Sequence, residues 1–170
     1  MSSMPWTWPG ARWWRCDLHT HTPASSDFHE RDRVTPADWT QAALAAGLDV
    51  VAVTDHSSAA WAGQVGGNGL HVFPGVELHV TPGVHLLALL DPSRGQKAVE
   101  ELLGRCRVPS DRWGDPEALS PCSVEDVLRA VADVGGLCLA AHADDAGGLL
   151  AEYGQGAPLQ QIIHSRLLAA

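Results

Sequence analysis

Two apolar runs, ARWWRCDL and DVVAVTDH, flank a segment, TPADWTQAALAAGL, that begins and ends like a helix. Thr35 is the expected N-cap, Pro36 takes the first helical position, where its missing N–H has no partner to lose, and Gly47 supplies the stop. Strand, helix and strand in immediate succession, with the second strand apolar on both faces, make the βαβ unit of parallel α/β sheets. More of the chain follows the same habit. LHVFPGVELHV and GVHLLALL read as two strands close enough to pair across TPG, and LCLAAHA as another buried strand. SRGQKAVEELLGRC and SVEDVLRAVADVGG read as helices, the second opened by a near capping box of Ser123 and Asp126. VPSDRWGDPEALSP, dense in Pro and Gly, is the most irregular stretch. The tail from Gly148 reads as loop and part of a helix without a capping signal, so a truncated C-terminal end is expected.

The strands share a second habit: polar, ligand-type side chains at their ends. His19 and His21 stand one residue apart where the first strand meets its loop, and residues i and i+2 of a strand share a face. Both imidazoles are thereby aimed at one spot, and neutral imidazole is the commonest nitrogen donor to Zn, Mn or Fe. The next strand ends in Asp55 and His56, a later one carries Glu77, and the last delivers His142. Sites of α/β proteins form at this edge, where the connecting loops converge. A core-histidine explanation absorbs one or two such residues but not four strands with one habit.

Composition narrows the class. A chain of 170 residues with 45% hydrophobic residues and a mean hydropathy of −0.04 suits one soluble domain. A net charge of −9 argues against a general nucleic-acid footprint, although bound cations offset local acidity and leave a phosphate site open. The four cysteines form no CxxC pair, so buried free thiols in a reducing, cytoplasmic setting are expected. No run of about 18 apolar residues is present, and no membrane partner is expected.

DLHTHTPASSD, TDHSS, PGVELH and AAHADD resemble, in order and spacing, the motifs of the polymerase-and-histidinol-phosphatase (PHP) domain family. The resemblance runs from about Arg12 to about Gly148. It implies a distorted (β/α)7 barrel, truncated here at its C-terminal end, occupying residues 12–170 behind an N-terminal arm of residues 1–11. It also implies two or three divalent metal ions, Zn, Mn or Fe, that hydrolyse phosphoesters. By motif, the metal ligands would be His19, His21, Asp27, His56, Glu77 and His142, with Glu77 as bridging, catalytic carboxylate. Asp55 is assigned to the catalytic set as a group that orients a histidine. His85 is added because family members carry a histidine in this context, although it begins a strand, away from the ligand-bearing ends. His79 shares the face of Glu77 but lies further along. His29, His71 and His164 are expected to be exposed or packing residues.

PGARWWRCDLHTHTPASSDF and DPEALSPCSVEDVL look most like the N-terminal PHP module of TrlF-type AAA-like or SMC-like ATPases. The expected function is therefore a metal-dependent phosphoesterase, a nuclease module acting on RNA or DNA beside a C-terminal ATPase region absent from this chain. A small-molecule phosphatase of the histidinol-phosphate type and a non-catalytic metal-binding regulatory module are the alternatives. The family's final Asp-x-His motif does not follow Asp145. Asp144 and Asp145 could substitute for it, with helix capping or solvation the plainer expectation, and an open sheet edge leads to expected self-association. One of Trp13 and Trp14 is expected to enter the core, and GQVGGNG to form a mobile loop beside the site.

Overall fold

The computed structural model describes residues 13–154, 156–165 and 167–169. The expected arm of residues 1–11 and the side chain of His164 lie outside the described set. The βαβ unit is built from β1 (Cys16–Thr20), α1 (Pro36–Ala45) and β2 (Val50–Val53), with β1 and β2 parallel. Thr35 does cap α1. Its hydroxyl accepts from Asp38 N–H while the Asp38 carboxylate accepts from Thr35 N–H, so two otherwise unpartnered donors are satisfied reciprocally. Ala43, on the buried side of α1, packs with Trp39, Leu44, Leu48 and Leu70 onto Val51 of β2.

β3 (His71–Thr81) is the spine of the sheet. It first pairs in parallel with β2, then antiparallel with β4 (Val84–Leu89), and at its end in parallel with β5 (Leu119–Ser123). α2 (Gly95–Arg105) leads to β5, and α3 (Val124–Asp133) to β6 (Leu137–Ala140), which pairs antiparallel with β4. α4 (Leu149–Tyr153) and α5 (Ala157–Ser165) precede β7 (Leu167–Ala169), parallel to β6. The order β1-β2-β3-β4-β6-β7, with β5 on β3, forms a curled half-barrel sheet in a mixed α/β fold. Regular alternation of strand and helix does not hold: no helix separates β2 from β3, and β3 and β4 form a hairpin. The TPG turn makes that hairpin possible, Gly83 taking a φ of 135°, a region open to glycine.

The stretch VPSDRWGDPEALSP, read as the most irregular, ends in the first three residues of β5. Its Pro121 cannot donate to a ladder, and the strand pairs with only the last residues of β3, as a proline-bearing strand at a sheet margin can. Ser123 caps α3 as expected, its hydroxyl accepting from Asp126 N–H.

Alternation along β3 and β4 divides the sheet into two faces. Val76, Leu78, Val80, Val84, Leu86 and Ala88 face the main core, where α2 contributes Val99, Leu102 and Leu103 and α3 Val127, Leu128 and Val131. Each of the Val and Leu side chains contributes roughly 1.5–3 kcal/mol when fully buried. The other face carries a smaller cluster of Ala52, Leu87, Leu89 and Ala141, edged by Phe73 and Leu139. Glu77 and His85 share the strand parity of this second face. Neither early tryptophan enters a core: Trp13 is almost wholly exposed, and Trp14 lies edge-on to His71 with ring centroids 5.2 Å apart. Cys106, Cys122 and Cys138 are buried free thiols, whereas Cys16 is exposed. Among the described residues no helix is long and apolar enough to cross a membrane.

Candidate metal centre

Three backbone devices bring the strand ends together. In β1, Asp17 stands opposite Val51 but Thr20 opposite Val53, so one extra residue is accommodated in the stretch Leu18–His19 that carries the first histidine of the pair. Such bulges re-aim side chains at a sheet margin. His19 and His21 end with their Nε2 atoms 3.3 Å apart. Beyond β2 the chain leaves the ladder for Thr54 and Asp55, then regains it in the same register through a single bridge from His56 to Glu77. Ser57 N–H donates to Glu77 O at 2.9 Å and Glu77 N–H to Asp55 O at 3.1 Å, which fixes the segment after β2 beside the middle of β3, correcting the placement of Glu77 at a strand end. Finally, because β4 runs antiparallel, its first residues lie beside the last residues of β3, and His85 stands opposite His79.

Glu77 is the hub. Its side chain is 1% exposed, yet both oxygens face imidazoles. Oε2 lies 2.8 Å from His19 Nε2, 3.2 Å from His21 Nε2 and 3.5 Å from His56 Nδ1. Oε1 lies 2.8 Å from His85 Nδ1 and 3.2 Å from His142 Nε2. Two sets of donors, His19, His21 and Glu77, and His56, Glu77 and His85, each bring their ligand atoms within 4.8 Å of one another. Imidazole nitrogen with carboxylate oxygen suits Zn, Mn or Fe, so the residues present fit the divalent ions that the motifs imply.

The electrostatics follow from burying one carboxylate among imidazoles. Burial alone pushes the Glu77 carboxyl up, but hydrogen bonds from His19, His21 and His85 outweigh it and hold the group far below the usual carboxylate range. His21 is desolvated as well, and the hydrogen bond and charge of Glu77, with the charges of Asp55 and Asp27, still raise its pKa. For His56 desolvation prevails and the pKa falls. The cluster thus keeps Glu77 anionic, the state in which a carboxylate can bind a metal ion.

Asp55 serves this centre from behind. It is buried, and its oxygens accept from Thr22 N–H at 2.6 Å, Thr22 Oγ1 at 2.6 Å and Ser25 Oγ at 3.0 Å. Ser25 Oγ in turn accepts from His56 N–H at 3.0 Å and lies 3.1 Å from His21 Nδ1. The far nitrogen of His21 is thereby held, leaving Nε2 for the site, the usual way in which an outer partner orients a ligand. Burial raises the Asp55 carboxyl despite the donors from Thr22 and Ser25. Thr22 and Ser25 were not among the residues expected from sequence. They lie 30–33 residues from Asp55 in sequence, so no local pattern pointed to them.

A second brace comes from the 3-10 turn Ser110–Arg112 and the residues after it. Gly114 N–H donates to His56 O at 3.0 Å and Gly114 O accepts from Ser26 N–H at 2.7 Å. Gly114 has a φ of 88°, and a Cβ there would lie 2.5 Å from Ala24 O. Gly114→Ala is therefore expected to destabilise the fold by about 2 kcal/mol, read from the urea midpoint at unchanged slope.

The remaining candidates take definite places. Asp27, half exposed, lies with Oδ2 3.5 Å from His56 Nε2, on the side of that ring away from Glu77. His142 approaches Glu77 from the turn after β6 with a φ of 29°. His85 sits in the ligand cluster, which corrects its placement away from the ligand-bearing ends: strand starts and strand ends coincide in an antiparallel pair. The His79 ring lies tilted by 34° against that of His85 at a centroid distance of 4.6 Å, its Nδ1 buried and without a hydrogen-bond partner, and it belongs to neither donor set. Asp144 and Asp145 are exposed, and Gly148, not either acid, is the N-cap of α4. His29 and His71 are exposed. The GQVGGNG loop is tied to α1, Gly66 N–H donating to Thr40 Oγ1 at 3.1 Å.

No family model matches the sequence, and no curated protein matches it. Solved structures do resemble the fold. A Bifidobacterium adolescentis protein assigned as a metal-dependent phosphoesterase aligns over 94% of this chain and 77% of its own, at 19% identity and a TM-score of 0.59. The lesion-specific endonuclease Q of Pyrococcus furiosus aligns over 90% of this chain and 40% of its own, at 16% identity and a TM-score of 0.67. A two-domain Bacteroides vulgatus protein containing a PHP-like metal-dependent phosphoesterase aligns over 89% of this chain and 41% of its own, at 16% identity and a TM-score of 0.53. This chain spans about two-fifths of the length of the last two. At such identities the resemblance establishes a shared fold and nothing finer.

Proposed function

We propose that the chain hydrolyses phosphoester bonds with divalent metal ions held around Glu77. The observation that carries this reading is one buried carboxylate shared by two imidazole donor sets. His19 and His21 would hold one ion with Glu77, and His56 and His85 a second, with His142 and Asp27 at the open side. Divalent ions so held supply Lewis-acid polarisation of a phosphoryl oxygen and lower the pKa of water. The protein's own part is to keep Glu77 ionised without solvent, to fix His21 through Ser25 and Asp55, and to pin His56 by its backbone. The PHP-like fold and the motif resemblance support the same chemistry.

A nuclease acting on RNA or DNA is the finer form of the proposal. Endonuclease Q, which shares the fold, is known with a duplex bearing an abasic lesion at its active site. The association with a larger ATPase rests on the sequence resemblance alone. Protein loaded with Mn is expected to cleave bis(p-nitrophenyl) phosphate and single-stranded DNA, and to stop on chelation with recovery on adding metal back. Cleavage confined to small monoesters would favour the phosphatase reading. Tight metal binding without turnover of any phosphoester would leave a regulatory metal module.

A further inference from the structure

The turn that braces the site also presents an aromatic surface. Trp113 is 38% exposed, and the residue after it bonds through its backbone to both His56 and Ser26. The turn is stiffened from within: Arg112 Nε lies 2.7 Å from Asp115 Oδ2, Arg112 Nη2 donates to Glu117 O at 3.3 Å, and Glu117 N–H donates to Asp115 Oδ1 at 2.8 Å. Single exposed apolar residues are common on any protein. This one is a large ring on a rigid support, one residue from the backbone contact that holds a candidate ligand.

Charge points the same way. The chain has eleven Lys and Arg against twenty Asp and Glu, and Arg33, Arg105, Arg112 and Arg129 are engaged in ion pairs with neighbouring acids. A net charge of −9 argues against general attraction of a polyanion, the usual basis of sequence-independent nucleic-acid affinity. Recognition has to come from the metal centre and from base stacking, which is tolerant of sequence and available only to unpaired bases.

We infer that Trp113 is a stacking platform for an unpaired nucleobase adjoining the phosphate at the metal centre, so that the preferred substrate is a single-stranded or extrahelical nucleotide. This inference rests on the phosphoester reading above. Its test compares two probes on Mn-loaded protein: inorganic phosphate by calorimetry, and a 5′-phosphorylated dinucleotide containing 2-aminopurine by its fluorescence. The dinucleotide is expected to bind more tightly than phosphate, with its emission quenched. Trp113→Ala should weaken it about 10-fold, within the range alanine substitution removes from base stacking, and abolish the quenching. Trp113→Phe should retain most of both, phosphate binding should be equal in all three proteins, and Trp14→Ala, at the far end of β1, should change nothing. Dinucleotide binding no tighter than phosphate, or equally tight in Trp113→Ala, overturns the inference while leaving the phosphoester reading standing. Failure of Mn-loaded wild-type protein to bind phosphate at all overturns that reading and the inference with it. Circular dichroism of each variant separates lost stacking from lost folding, and Trp113→Gln, expected to lose the quenching as well, carries the comparison if Trp113→Ala does not fold.

Discussion

Glu77→Gln is expected to strip bound transition metal from both donor sets and to lower phosphoester turnover at least ~100-fold, while the protein stays folded. Even the partners of metal ligands typically change affinity or activity by ~10–100-fold, and a carboxylate shared by two sites should do no less. Glutamine keeps the shape of the side chain but removes the anion that faces five imidazoles. The choice of glutamine matters, because Glu77 is among the largest fully buried side chains of the protein. From sequence it reads as a strand-edge residue with little part in packing, for which alanine would be a clean deletion. In the fold, alanine would also open a cavity among the rings. Metal content by elemental analysis, turnover with Mn supplied and the thermal transition together test the expectation. Full metal stoichiometry in Glu77→Gln would remove the shared carboxylate from the account.

Asp55→Ala should act on stability first. The carboxylate is fully buried and accepts three hydrogen bonds from Thr22 and Ser25. Deletion recovers the desolvation cost of the charge, which is what raises its pKa, but leaves Thr22 N–H and two hydroxyls without an acceptor. At about 1–3 kcal/mol for each buried group left unsatisfied, partly offset by that recovery, the net loss is expected near 3 kcal/mol. Metal affinity should fall as well, by ~10–100-fold, since Ser25 no longer holds His21. Urea unfolding of the metal-free protein measures the first effect and calorimetric titration with Mn the second. Unchanged stability with lost metal would instead make Asp55 a direct participant in the centre.

Much of this was legible in the chain because local signals and tertiary demands agree. Thr35, Pro36 and Gly47 bound the first helix whatever packs on it, and a period of two brings His19 and His21 to one side. The end of an apolar strand marks His56 because loops converge there in any such sheet, whereas Glu77, read as a strand-end residue, lies inside β3, which runs on to Thr81. What was not legible depends on pairing between distant segments. His85 looks misplaced until β4 is known to run antiparallel, and periodicity is blind to strand direction. The extra residue in β1 changes only the register against β2. β5 carries a proline and leans on three residues of β3, so its own composition reads as loop. The service of Thr22 and Ser25 to Asp55 spans about thirty residues and has no local signature.

The central claim is that one carboxylate organises two metal positions. Crystals of the protein soaked in Mn or Zn, with anomalous differences collected above and below the metal edge, address it most directly. The expected map has two peaks flanking Glu77, one beside His19 and His21 and the other beside His56 and His85. A map without a peak at Glu77 after soaking, or with metal bound only to residues elsewhere, would contradict it.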